Sequence, residues 1–415
     1  MKDGAELGDA YGVTLERIKA QGEERARLAI TTLTWVCHSE RPLKVDELCH
    51  ALAVEIGAED FDPENIPLMS TLLDCSQGLI TVDEEASTVR LIHFTVQEYL
   101  CTHPDLSSKP QSILAETCLT YLNSQHIKNL SSHPPPDHQA IPFLAYSSRY
   151  WGTHANKELS DSARALALRL LNQYEDHVSA LSLLKQVLPM LLGEISTSPL
   201  FSGLHCASFF GIVEFLTAST NMKGCQINQR DCTGGTPLSW AVKNRREGVV
   251  KLLLEREDVD PNCPGFGGAP PLGLASAVGD EAVVNLFLEW ENVDPNNSSH
   301  RLTPLQCATF QGHKGVVKLL LGREDVDPDR PALLGLTPLG CAALRGHEGV
   351  VKLLLEREDV DPNRPDMHGQ TPFAHAAAKG HEGVVKPLSG RESIDPNSPA
   401  KSDRTLLGRA TAGGA

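Results

Sequence analysis

The chain has 415 residues, 41% hydrophobic and 22% charged, which is apolar enough to bury a core and long enough for about two or three domains. Its 53 acidic against 37 basic side chains leave a formal net charge of −16, a field that repels phosphate backbones and anionic membrane surfaces, so neither nucleic acid nor membrane is an expected partner. The eleven cysteines stand singly with no C-x-x-C pair, which predicts no disulfide framework and no zinc knuckle but small apolar packers in a reducing, cytoplasmic setting.

The first segment, 1–23, is acidic and has no apolar core, so it reads as a flexible lead-in and not as a signal peptide. The greasiest later run, LSLLKQVLPMLLGEI, is broken by Lys185 and Pro189 and predicts no membrane span. Over 24–104 the pattern predicts helices at Glu24–Cys37, Lys44–Val54 and Asn65–Cys75. Two strands follow, Gly78–Val82 and Thr88–Ile92, joined by the turn Asp83–Ser87, and then a further helix. Three helices and a hairpin spell a winged helix. A DNA-reading version needs cations on its third helix and wing, whereas this one has Asp62, Glu64 and Asp74 around the helix and Asp83, Glu84 and Glu85 at the wing tip. It reads as an internal packing module.

The strings SERPLKVDELCHALAV and GLITVDEEASTVRLIHFTVQEYL resemble the winged-helix domain of fungal NACHT-type, NLR-like proteins, a domain labelled after GPI inositol-deacylase. PFLAYSSRYWGTHA and ALALRLLNQYEDH continue the resemblance as a helical spacer over 105–199, with SSHPPPDHQ at 131–139 a proline-stiffened linker whose histidines are exposed. The resemblance implies an architecture in which these parts follow a nucleotide-binding NACHT domain, absent from this chain, and precede ankyrin repeats. It also implies that the histidine of an H-x-[ST]-x-Q-E-[YF] segment faces the nucleotide, a role that would fall to His93. The residues alone suggest otherwise: His93 as a core histidine satisfied by a backbone carbonyl, with Phe94, Tyr99 and Leu100 in the core of the next helix. No G-x-x-x-x-G-K-[ST] loop occurs to cradle phosphates and no G-x-S-x-G elbow to carry an esterase nucleophile, so no cofactor and no enzymatic activity are expected.

From residue 200 the sequence repeats. Thr236-Pro237, Pro270-Pro271, Thr303-Pro304, Thr337-Pro338 and Thr371-Pro372 recur at near-constant spacing, each followed by small residues, a glycine and a run such as VVKLLL. Threonine as helix N-cap with proline at the first helical position predicts one helix, ended by Gly312, Gly346 or Gly380. The leucine-rich run predicts a second helix whose apolar residues cover more than one face and need neighbouring copies. T-P-L followed by G-H-E-G-V-V-K-L-L-L resembles the ankyrin repeat over 200–415, about five copies with a degenerate first and a truncated last. The family's histidine after T-P-L is replaced by Ser239, Gly273, Gln306 and Gly340, which puts the usual His/Thr bracing in doubt. Pro387 inside the last second helix predicts fraying from about Lys386 onward.

The expected fold is therefore mainly α: a winged helix, a helical spacer and an α-solenoid. The expected function is protein–protein interaction, with a partner on the concave face and an upstream or separate NACHT domain as a further partner. Positions free to vary on that face are Phe266, His300, Arg301, Phe310, Gln311, Leu333, Leu334, Leu344, Arg345, Met367 and His368, while Trp240 is expected to pack between helices. His347-Glu348 and His381-Glu382 begin like H-E-x-x-H but lack the second histidine, and the Glu-Asp pairs of the turns lack a calcium-loop spacing, so no metal is expected.

Overall fold

The computed structural model describes residues 3–103, 106, 108–130, 141–175, 177–189, 200–220, 226–298 and 302–390. They form two compact units, Met1–Cys206 and Ala207–Ala415.

In the first unit, the segment expected to be flexible is instead helical: α1 spans Asp3–Lys19. The reason is a thin apolar stripe. Tyr11, Leu15 and Ile18 fall on one helical face; Leu15 and Ile18 are buried, and the Tyr11 ring lies 5.6 Å from that of Tyr99. The winged helix then runs α2 (Glu23–His38), α3 (Val45–Leu52), α4 (Met69–Cys75), β1 (Ile80–Asp83), β2 (Thr88–Leu91) and α5 (Phe94–Thr102), with Ile80 opposite Leu91 and Asp83 opposite Thr88 in the antiparallel hairpin. The third helix is shorter than expected because Pro67 holds Ile66 extended, which leaves only a 3-10 turn at Pro63–Asn65 ahead of α4. The spacer is α6 (Pro110–Asn123), α7 (Gln125–Lys128), α8 (Phe143–Lys157), α9 (Asp161–Leu171) and α10 (Val178–Val187). It shares one aromatic core with the winged helix, where Trp35 meets Phe143 and Tyr146 edge-on at 5.6 and 5.8 Å and Phe143 meets Tyr121 at 5.2 Å. The linker 131–139 lies outside the described residues.

The second half is built from helix pairs: α11 (Gly203–Phe210) with α12 (Val213–Thr220), α13 (Pro237–Lys243) with α14 (Glu247–Leu254), α15 (Pro271–Val278) with α16 (Glu281–Leu288), α17 (Pro304–Gln311) with α18 (Lys314–Leu321), α19 (Pro338–Arg345) with α20 (Glu348–Leu355), and α21 (Pro372–Lys379) with α22 (Glu382–Ser389). The degenerate first copy still forms a pair. Thr236, Thr303, Thr337 and Thr371 each accept a backbone N–H of the first turn through their hydroxyls, as N-caps should. From α13 on, successive first helices pack on one another to form one row and successive second helices form another. Val350, Val351, Leu354 and Leu355 of α20 are all buried between neighbours, at about 1.5–3 kcal/mol per side chain. Helix α22 continues through Pro387 to Ser389, and the chain after 390 lies outside the described residues.

Copies are joined by side chains that reach backbone one repeat away. Imidazole Nε2 of His313, His347 and His381 lies 3.1 Å from the carbonyls of Ala277, Phe310 and Leu344, and in the second copy Arg246 Nε takes the histidine's place on Phe209 O at 3.0 Å. Gly312, at φ +81°, lets that ring approach: a Cβ there would sit 2.6 Å from His347 Nδ1. A second ladder runs through asparagines. Asn228, Asn262 and Asn296 each donate to a carbonyl in the next turn (Asp258, Asn292 and Asp325) and accept an amide two residues on (Asp260, Asp294 and Asp327).

Candidate functional site

The first-helix row ends in turn tips, and the tips are shaped by inward-pointing aspartates. Asp231 Oδ1 accepts the amides of Thr233 and Gly235, and Oδ2 accepts the indole N–H of Trp240 at 2.7 Å. Asp366 repeats the device, taking the amides of His368 and Gln370 on Oδ1 and facing His375 Nε2 at 3.0 Å with Oδ2. Trp240 is fully buried, packed between Phe209 and Phe266, as its slot in the repeat predicts. Aspartate thus spends both oxygens on folding the tip, and the rim of the row is left apolar and cationic.

Two cations on this row are held against rings. The Arg345 guanidinium carbon stands 3.9 Å from the Phe310 ring centre, and Lys243 Nζ stands 4.4 Å from that of Phe266 and 5.3 Å from that of Trp240. Burial lowers the Lys243 ammonium pKa, against the opposing pull of Asp231. Phe310, Leu344 and Phe266 are half-buried, whereas Gln311, Arg345 and His368 are exposed. Leu334 and Met367 protrude from neighbouring tips, 44% and 62% exposed, and the Met367 amide donates to Leu334 O at 2.8 Å. Leu334 sits at φ +64° in the 3-10 turn Leu333–Gly335, where only the backbone of Leu333 is described. His300 and Arg301 lie outside the described residues. Two cations escaped the sequence reading. Arg245 occupies the left-handed slot held by glycine in later copies, at φ +56°, and Lys379 is equivalent to Arg345; aligning the copies on their Thr-Pro steps would have found both.

In the first unit the expectation of a buried His93 is corrected. Strand β2 ends at Leu91 and α5 starts at Phe94, which leaves His93 exposed as the extended N-cap of α5, its Nδ1 accepting the Thr95 amide at 3.3 Å. Phe94 is likewise not core: on the first turn it is 64% exposed, while Val96 and Leu100 supply the buried face and Tyr99 packs on Tyr11. His93 and Phe94 line an open depression of 340 Å³ together with Arg41, Arg90 and Gln97. Both arginines are already paired, Arg41 with Glu47 at 2.6 Å and Arg90 with Asp83 at 3.1 Å.

Several buried groups are held in their uncharged states by burial. Burial pushes the thiols of Cys37 and Cys341 up to about 12 and those of Cys49 and Cys307 up to about 11. Burial lowers His154 to about 3, where it bridges the Tyr146 hydroxyl and Gln111. Among the described residues no group of three or more His, Cys, Asp or Glu side chains is placed to hold a metal, and no helix is long and apolar enough to cross a membrane.

Residues 15–110 match the family described as GPI inositol-deacylase, winged helix domain, and residues 204–299, 248–332 and 308–400 each match the family described as ankyrin repeats (3 copies). Among solved structures the chain is similar to the ankyrin repeat domain of Bcl-3, a member of the IkappaB protein family, at 23% identity over 52% of this chain and 95% of that one, with a TM-score of 0.46. It is also similar to the human ASB11 ankyrin repeat domain, at 25% identity over 50% of this chain and 91% of that one, with a TM-score of 0.45. No curated protein matches the chain. The chain thus joins a winged helix to a run of ankyrin repeats, a kind of repeat that binds protein partners.

Proposed function

We propose that this protein is a non-enzymatic interaction and signalling module of the cytoplasm, in which the ankyrin solenoid binds a protein partner on the concave, first-helix side and the winged helix and spacer form the regulatory half. The observation that carries this reading is the makeup of the first-helix row and its tips: Arg345 is laid over the half-buried Phe310 at the helix ends, and Leu334 and Met367 protrude from the tips. By its resemblance the chain is a fungal NLR-like, STAND-type protein or a piece of one. The test compares recovery of partner proteins by the full chain and by a Phe310→Ala, Leu344→Ala, Arg345→Ala variant. The proposal expects recovery to fall at least tenfold; equal recovery removes the first-helix face from the account.

One observation favours a second reading, an accessory subunit acting in trans on a separate NACHT ATPase. His93 and Phe94 are exposed at an open depression, where a second protein can reach them. That reading requires ADP or ATP affinity to rise when the chain is added to such an ATPase and to fall back with His93→Ala. The leading reading expects no change in either case.

A further inference from the structure

The cations of the first-helix row stand where the sequence places no carboxylate beside them. On the described turns after the second helices three arginines are each neutralised by a carboxylate two residues on, Arg256 by Asp258, Arg323 by Asp325 and Arg357 by Asp359, while Arg330 takes part in no ion pair among the described residues. Lys352 pairs with Glu348 and Arg364 with Asp329. Along the end of the first-helix row the sequence reads Lys243-Asn244, Ala277-Val278, Phe310-Gln311, Leu344-Arg345 and Ala378-Lys379, with no Asp or Glu in a chain whose net charge is −16. Lys243, Arg245, Arg345 and Lys379 take part in no salt bridge among the described residues, and the only carboxylates of the neighbouring tips, Asp231 and Asp366, are turned inward onto Trp240 and His375. Arg345 and Lys243 are moreover laid on aromatic faces. Held there, they lose less side-chain entropy when a carboxylate arrives, and the guanidinium edge keeps its paired N–H donors for bidentate contact.

We propose that this row takes an acidic protein segment that carries at least one large apolar side chain: carboxylates meet Arg345 and Lys243, and the apolar side chain lies on Val278 of an intervening copy and on Leu344 beside Arg345. The inference rests on the reading of this face as the binding face and adds the chemistry of the partner. Lys243 and Arg345 are three copies apart, and helices packed at about 9 Å per step give a span of about 27 Å. An extended segment of about eight residues covers that distance at about 3.3 Å per residue. A phosphate backbone is the less favoured occupant, because the chain's overall negative field opposes it and the rings of Phe310 and Phe266 are already covered by Arg345 and Lys243.

The test selects binders to the full chain from a displayed library of random peptides about nine residues long, then measures affinities of the enriched peptides at low and high salt. The proposal expects them to carry net negative charge and an aromatic or aliphatic side chain. It also expects them to weaken at least tenfold against a Lys243→Gln, Arg345→Gln variant and measurably against Lys379→Glu, which alters only an exposed helix end and so is not expected to disturb folding. Neutral or basic peptides that lose affinity with Phe310→Ala and Leu344→Ala but not with the charge variants would overturn the inference while leaving the binding face in place. Peptides indifferent to both sets would overturn both. Tighter binding of a single-stranded oligouridylate than of any selected peptide, lost in the same charge variants, would also overturn it.

Discussion

Asp329 sits where the other turns place Asn262, Asn296 and Asn363, and the difference has a calculable cost. Asn262 and Asn296 each give an amide N–H to the carbonyl of the next turn. A carboxylate cannot, and Asp329 is 9% exposed with Oδ1 lacking a hydrogen-bond partner. Burial raises its pKa above the usual carboxylate range, against the Arg364 guanidinium at 3.1 Å, which favours the charged form. Asp329→Asn supplies the missing donor to the Asp359 carbonyl, worth about 1 kcal/mol, and removes a buried unsatisfied charged oxygen, worth about 1–3 kcal/mol. It gives up an ion pair to a substantially exposed arginine, worth about 0–1 kcal/mol. The net expectation is a gain of about 1–4 kcal/mol at pH 7, read as a rise in urea midpoint at constant slope. The pH dependence has a definite sign. Because the folded-state pKa lies above the unfolded one, the native state holds more protons between the two values, so the wild type gains stability as pH falls through the folded pKa. The advantage of the variant must therefore shrink on acidification below pH 7. A variant no more stable at pH 7, or one whose advantage grows toward pH 4, would refute the reasoning.

Pro387 sits inside α22 where α20 has Leu353, so Pro387→Leu should stabilise the last pair by up to about 3 kcal/mol, seen as slower amide exchange at Val384; exchange there already as slow as at Val350 in the wild type would contradict it. His347→Ala removes the bond to Phe310 O and should cost about 1–2 kcal/mol, with exchange quickened in both adjoining copies and not in the winged helix. Trp240→Phe keeps the aromatic packing but leaves Asp231 Oδ2 buried without its indole donor, for a loss of about 1–3 kcal/mol in thermal or urea unfolding.

The repeats were legible because a unit whose leucines cover more than one face can bury them only against copies of itself, and such copies leave a period in the sequence. Trp240 was placed correctly for the same reason, since its slot is filled by Leu274, Cys307 and Cys341 elsewhere. The bracing was not legible. His313, His347 and His381 bond to carbonyls of the preceding copy, and backbone acceptors carry no residue identity for a pattern to find. In the first unit α1 was missed because Tyr11, Leu15 and Ile18 make only a faint packing stripe along a helix of 17 residues. Phe94 and His93 were misplaced by the start of α5: a helix that begins at Phe94 puts its first turn in solvent and hands the core to Val96 and Leu100. On the first-helix row the stacking of Arg345 on Phe310 was not legible, because residues 35 positions apart meet only through the superposition of two copies.

The most direct test of the account places a photoreactive side chain at position 311, on the exposed end of α17, and in a second preparation at position 352, on the exposed side of α20. Irradiated in the presence of a partner recovered by the full chain, the first should form a covalent adduct with it and the second should not. Adducts from position 352 alone, or equally from both, would contradict the claim that this protein works through its first-helix row.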